Sequence, residues 1–253
     1  MKLTFEALGG QSPSPVHLFI FPHAGGQPAT YRSLAEHLGT AVQVSAMLYP
    51  GRGRRMFEPL PGSIAELAEE ALAALPRNQQ LVLLGHSMGG FVAHALAARL
   101  CEQGRPPARL LLSSVRAPHL TPHRCLAGHS DEAFATALLE LGGIAPQLLR
   151  DAEARALFLP MLRADFALAE AHRAQPTKPL DCAVSLFHGR DDEHVPLADL
   201  ERWRDWAAID QLHLQPGGHF HLLQQVAEFA GSVGPLAPAN LAVHTASRNV
   251  HLR

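Results

Sequence analysis

The sequence predicts an α/β fold: a mostly parallel central sheet, flanked by helices and interrupted by a helical insertion. Three observations carry that expectation. Short apolar runs of strand length alternate with stretches of helical pattern, as βα units on a parallel sheet require. The apolar run at 81–84 ends in Gly85-His86-Ser87-Met88-Gly89 and leads into an Ala- and Leu-rich stretch at 91–102, giving strand, sharp turn and helix in succession. From about residue 115 to 179 the alternation stops and the patterns are mainly helical, after which strands return.

In chain order, Val16–Phe21 (VHLFIF) reads as a buried strand that runs into Pro22-His23-Ala24-Gly25-Gly26. Residues 28–38 read as a helix closed by Gly39, and 42–48 as a second strand followed by YPGRGRR at 49–55. Ser63 and Glu66 form a capping box before a helix at 64–75. Next come the strand and helix around Ser87, where Gly104 and the pair Pro106-Pro107 end the helix, and then a strand at 110–113. Ser130 caps a helix at 131–141, with Asp131 and Glu132 in its first turn. Residues 151–172 are helical, with Pro160 kinking or restarting the helix. A strand at 183–187 leads into Gly189-Arg190-Asp191-Asp192. A helix follows from Pro196 to 209, then a strand at 211–215, Pro216-Gly217-Gly218-His219, and a closing helix at 220–233. The expected organisation is one domain at 1–235, its core at about 14–114 and 180–235 and a helical lid at about 115–179, with 236–253 as a C-terminal tail.

Composition bounds the function. A chain of 253 residues that is 47% hydrophobic can bury a full core. A net charge of −2 gives no reason to expect nucleic acid or an anionic membrane as partner. Cys101, Cys125 and Cys182 are odd in number and widely spaced, which argues against a disulfide framework or a metal site. The start, MKLTFEALGG, has no long apolar segment of the signal-peptide kind, and no stretch of about 18 apolar residues is present to span a membrane. A cytoplasmic monomer without cofactor or metal is therefore expected.

The Gly85-to-Gly89 turn holds a serine in a strained conformation at the N-terminus of a helix, where free N–H groups and the dipole favour a developing anion. Ser87 is thus a candidate nucleophile. It needs a base, and the base needs an orienting carboxylate. After such a serine the chain order is carboxylate, then histidine, and two strand-end loops satisfy it: GRDD at 189–192 and GGHF at 217–220. His219 is the candidate base. Asp191 and Asp192 compete as orienter, and Asp192 is assigned because the loop reads Gly-x-x-Asp followed by the hydrophobic-Pro step Val195-Pro196. The oxyanion donors are expected to be the N–H of Met88, after the nucleophile, and that of Ala24, in the glycine-rich loop after the first strand. His23 and His86 lie beside this site and read as structural. His219-x-His221 has the spacing of a metal pair but no third ligand cluster.

FPHAGG at 21–26, YPGRGRR at 49–55, GHSMGG at 85–90, LRADF at 162–166, GRDD at 189–192 and GGHF at 217–220 occur in this order. Together they resemble the type II thioesterases that accompany polyketide synthases and nonribosomal peptide synthetases, over about residues 16–233. GHSMGG is common to many hydrolases, while FPHAGG with YPGRGRR is far more selective. The resemblance implies an α/β-hydrolase fold with a flexible helical lid. It implies hydrolysis of acyl groups from the phosphopantetheine arm of acyl or peptidyl carrier proteins, the arm belonging to the partner. By motif position it implies Ser87, His219 and Asp192 as the triad, with Ala24 and Met88 as oxyanion donors. His221 departs from the family pattern, where an apolar residue is more usual.

Two further readings compete with an editing thioesterase. One is another serine hydrolase of the same fold, a free-ester esterase or a product-releasing thioesterase; the absence of a carrier-like Asp-Ser-Leu segment favours a standalone enzyme. The other is a non-catalytic binding module, which the complete set of Ser, Asp, His and oxyanion residues argues against. Arg52, Arg54 and Arg55 either meet an acidic carrier and its phosphate or brace a loop through ion pairs, and bracing is the commoner use. Leu157, Phe158, Leu159, Met161, Leu162 and Phe166 are expected to line an acyl channel under the lid.

Overall fold

A computed structural model describes residues 4–10, 14–176 and 178–233. The expected tail at 236–253 lies outside these residues. In chain order the elements are β1 (Phe5–Gly9), β2 (Val16–Phe21), α1 (Arg32–Leu38, entered through a 3₁₀ turn at Pro28–Tyr31), β3 (Gln43–Met47), α2 (Ile64–Ala74), β4 (Gln80–His86) and α3 (Met88–Glu102). They continue with β5 (Arg109–Ser113), α4 (Asp131–Leu141), α5 (Pro146–Arg150), α6 (Ala152–Ala171), β6 (Leu180–Gly189), α7 (Leu197–Glu201), β7 (Ala207–Gln215), α8 (His221–Gln224) and α9 (Val226–Val233).

The seven strands form one sheet in the order β1-β3-β2-β4-β5-β6-β7, parallel throughout except for β1, which runs antiparallel to β3. Both faces are covered, which is why Val16–Phe21 is buried at all six positions instead of alternating. Phe19, Phe21, Leu81 and Leu83 face one apolar layer with α2 and α3. Leu18, Ile20, Val82 and Leu84 face the other, with α1 and α9. Ten of the fifteen residues of α3 are buried, so this helix has little of the one-sided polarity of a surface helix. The Ser63 hydroxyl accepts the Glu66 N–H at 3.1 Å and so caps α2, but the Glu66 carboxylate reaches Gly62 N–H, one residue earlier than a capping box would place it.

Four expectations are corrected. The helix at 196–209 is only α7 plus a 3₁₀ turn at Arg202–Asp205; strand β7 already begins at Ala207, where it pairs with Leu180. Buried Trp203 and Trp206 stop the helix, their indoles donating to Val115 O at 2.8 Å and His119 Nδ1 at 2.9 Å. The closing helix at 220–233 is split into α8 and α9 at Gln225, whose backbone is non-helical at φ −116°, ψ 47°. Helix α6 runs unbroken through Pro160 and is not restarted there. The stretch from 115 to 179 is less uniformly helical than expected: 114–130 carries neither helix nor strand, and α4, α5 and α6 follow it.

Strand order reverses between β2 and β4, since β2 leads outward to β3 and the chain then crosses back to β4. At such a switch point the loops after two neighbouring strands diverge and open a crevice. Here those loops are 22–26 and the turn at Ser87, with Phe21 paired to Gly85. The loops after β6 and β7 emerge at the same sheet edge, where Gly189 pairs with Gln215. No described helix is long and apolar enough to cross a membrane.

Candidate active site

Ser87 has φ 54° and ψ −124°, a conformation that non-glycine residues seldom adopt. Close packing of β2, β4 and α3 enforces it. A Cβ on Gly85 would lie 2.3 Å from Gly89 O, and one on Gly89 would lie 1.9 Å from Phe21 O. Ser87 N–H donates to Ser113 O at 2.9 Å, tying the turn to β5. Helix α3 starts at Met88, so the Met88 N–H is one of the orphan donors of a helix N-terminus.

The Ser87 hydroxyl donates to His219 Nε2 at 2.9 Å, and His219 Nδ1–H donates to Asp192 Oδ2 at 2.9 Å. The second oxygen of Asp192 accepts the N–H groups of His194 at 2.9 Å and Val195 at 3.1 Å. Burial by itself would raise the Asp192 pKa, but the hydrogen bond and charge of His219, with the Val195 N–H, hold the carboxyl well below the usual range. Asp192 is 8% exposed, while Asp191 faces solvent and its backbone N–H donates to Gly217 O. A carboxylate that fixes the imidazole tautomer and a hydroxyl aimed at the free nitrogen form the geometry of an activated serine.

Ala24 lies beside Ser87 and Met88 around one cavity. Its loop is closed by Gly26 N–H donating to His23 O at 2.8 Å, and no acceptor among the described residues takes the Ala24 N–H. The other histidines have separate tasks. His23 Nδ1 pairs with Tyr31 OH at 2.9 Å, and burial pushes its pKa down to about 3. His86 is fully buried, bonds Ser113 through Nδ1 and is kept neutral by burial and by the neighbouring histidines. His221 bonds Ser113 Oγ at 3.1 Å and Gln215 Oε1 at 2.8 Å, so it belongs to a polar chain behind the site; burial lowers it to about 4. Among the described residues no cluster of three or more His, Cys, Asp or Glu is disposed to hold a metal.

The arginines divide. Arg52 is fully buried and pairs with Asp165 at 2.7 Å, and Arg55 is buried between Glu58 and Glu70. Both brace the loop after β3, while Arg54 is exposed. The cavity at Ser87 is lined by the apolar Phe91, Val115, Phe166 and Val195 and by the charged Arg116, Glu170 and Asp199. This corrects the expected acyl channel: of the six insertion residues only Phe166 lines it. Phe158, Met161 and Leu162 line a separate cleft on the far side of Gly25, Leu159 is packed in the core and Leu157 is 58% exposed. Asp165 lies in the LRADF motif, but its pairing with Arg52 has no signal in the sequence.

Comparison with known proteins identifies the family to which the chain belongs. A family model described as a thioesterase domain matches residues 16–235. Thioesterase PikA5 of Streptomyces venezuelae is 35% identical over 226 residues, spanning 87% of this chain and 80% of its own. Among solved structures, the type II thioesterase BorB from the borrelidin biosynthetic cluster has a TM-score of 0.82 at 31% identity, covering 93% of this chain and 98% of its own. YbtT, a type II thioesterase from the yersiniabactin NRPS/PKS pathway, has a TM-score of 0.81 at 29% identity, covering 91% and 96%. The fold is that of the α/β-hydrolases, and its chemistry is the hydrolysis of thioesters. Within that class the chain belongs to the thioesterase domain family.

Proposed function

We propose that this protein is an editing thioesterase that removes acyl groups from the phosphopantetheine arm of acyl or peptidyl carrier proteins of a polyketide or nonribosomal peptide synthase. The observation that carries the catalytic part is the unbroken chain Ser87–His219–Asp192, each link 2.9 Å, on a serine at φ 54°. The carrier-bound substrate is supported by the likeness to BorB and YbtT, both described as type II thioesterases of such pathways.

Ser87 Oγ attacks the thioester carbonyl while His219 Nε2 takes its proton. Asp192 holds the imidazole and stabilises the imidazolium that forms. The carbonyl oxygen, now negative, is received by the Ala24 and Met88 N–H groups, so the enzyme favours the tetrahedral state over the planar substrate. Collapse expels the pantetheine thiolate, which His219 protonates, and leaves an acyl group on Ser87. Water, activated by the same histidine, then releases the acid. The acyl group occupies the cavity beside Phe91 and Phe166, with no bound cofactor required.

The test is a matched series with one short acyl group on a carrier protein, on N-acetylcysteamine and on p-nitrophenol. Contacts to the carrier are remote from the thioester and can raise kcat/KM beyond what the acyl group alone provides. The carrier substrate should be the most efficient, and the nitrophenyl ester weak for its intrinsic reactivity. Equal efficiency on carrier and small thiol would leave a general thioesterase and refute the carrier as partner.

A further inference from the structure

Asp165 lies on α6 in the helical insertion and is only 1% exposed. A carboxylate that deep must have its oxygens occupied. Both are committed to loops of the sheet domain: Oδ1 accepts Arg52 Nη2 at 2.7 Å, and Oδ2 accepts Gly25 N–H at 2.7 Å. Fully buried Arg52 donates in turn from Nη1 to Gly26 O at 3.3 Å and from Nε to Pro50 O at 3.4 Å. Tyr49 OH donates to Pro22 O at 3.1 Å.

These contacts converge on the loop that carries Ala24. The Ala24 N–H belongs to the His23–Ala24 peptide, whose carbonyl accepts Gly26 N–H. The next peptide offers Gly25 N–H to Asp165, and the Gly26 carbonyl is held by Arg52. The peptide planes of the turn are thus fixed in sequence, and Ala24, whose N–H meets no acceptor among the described residues, lines the Ser87 cavity. Leu162, three residues before Asp165 and so on the same face of α6, fills the space over Gly25, where a Cβ would lie 2.2 Å from Leu162 Cδ2.

We infer that Asp165, with Arg52, is a positioning pair for the oxyanion hole, so that the hole is complete only while α6 is seated on the 22–26 loop. This rests on Ser87 as nucleophile and Ala24 as oxyanion donor. Asp165 touches no reacting atom; it acts through the Gly25 N–H and through Arg52. A donor held in place before the reaction stabilises a charge that exists only in the tetrahedral state. Loss of the pair therefore weakens binding of that state and leaves binding of the ground state alone.

Asp165→Asn is the direct test, because an amide has one oxygen for the two donors that the carboxylate satisfies. The expected result is a fall in kcat of about 10- to 100-fold, below or within the range for removing a whole oxyanion donor, with KM within about threefold. A boronic acid that forms a tetrahedral adduct with Ser87 should lose affinity by the same factor as kcat/KM. A non-hydrolysable thioether analogue should bind as to wild type. Arg52→Lys, which keeps the charge but loses the guanidinium fork, should show a smaller loss of the same kind and stands in if Asp165→Asn does not fold. Equal losses for both inhibitors, or kcat within twofold of wild type in a folded variant, would overturn the inference. Ser87→Ala is run in parallel. If it is inactive while Asp165→Asn shows no selective loss, only the positioning role fails. If it retains turnover, the serine mechanism fails and the positioning role with it.

Discussion

His219 Nδ1 lies 2.9 Å from Asp192 Oδ2, while the adjacent carboxylate of Asp191 faces solvent. Two neighbouring aspartates therefore have opposite surroundings. Asp192→Asn should lower kcat by about 10⁴-fold, the cost of losing the orienting carboxylate in a serine triad. Asp191→Asn should stay within about threefold of wild type, as expected for a solvated charge with no side-chain partner among the described residues. Steady-state kinetics on one thioester decide it, and the reverse ranking would assign the orienter to Asp191.

Ser87→Ala should abolish turnover and prevent labelling by a fluorophosphonate probe, because the strained turn presents this hydroxyl alone to His219 Nε2. Intact-mass measurement after exposure to the probe is the check. Undiminished labelling of the variant would put the nucleophile elsewhere.

Gly89→Ala should disrupt both stability and activity. The added methyl group would meet Phe21 O at 1.9 Å, a backbone atom that can move only if β2 and α3 separate. The cost of such overpacking is about 1–3 kcal/mol, and the shift reaches the 22–26 loop directly. Denaturant unfolding and kcat/KM measured together test it; a variant unchanged in both would mean the strand and helix are looser than the packing implies.

Stability should fall on acidification well before the carboxylates titrate. Burial lowers His23 and His94 to about 3 and His172, His194 and His221 to about 4, against 6.5 in an unfolded chain. Below 6.5 the unfolded state binds protons that the folded state refuses, so stability rises with pH through this window and is lost as pH falls toward 4. Asp192, depressed in the folded state, adds to the loss at still lower pH. Thermal midpoints across pH 7.5 to 4.5 give the test. A flat profile would mean that these histidines protonate in place.

The legible parts of the sequence were those whose signal is local. Ser87 announces itself because glycine, serine and glycine stand between a buried strand and a helix, and GRDD and GGHF repeat the strand-end placement. Strand β1 gave no such signal: it is five residues long, half-exposed and at the sheet edge, held by antiparallel pairing to β3 and by Phe5 against Phe19. Strand β7 was read four residues short because it too lies at an edge, where burial is irregular and periodicity weak. The partners of Asp165 are 113 and 140 positions away along the chain, beyond any spacing rule. The acyl-cavity lining was misjudged for a related reason. Which face of α6 looks toward Ser87 depends on how the helix docks, and its composition does not say.

Among the described residues, β7 is hydrogen-bonded to the sheet on one side only, through β6. Asp192 follows the end of β6 and His219 follows the end of β7, just past the pairing of Gly189 with Gln215. The alignment of acid and base is thus inherited from backbone pairing at a margin, where local opening requires far less energy than global unfolding. It follows that heat should silence this enzyme in two stages. The margin frays first, and the catalytic relay parts reversibly while the rest of the sheet stays intact; collapse of the whole comes later. Activity lost at a lower temperature than the far-ultraviolet circular dichroism of the sheet is the expected outcome, and coincident loss of both would overturn it.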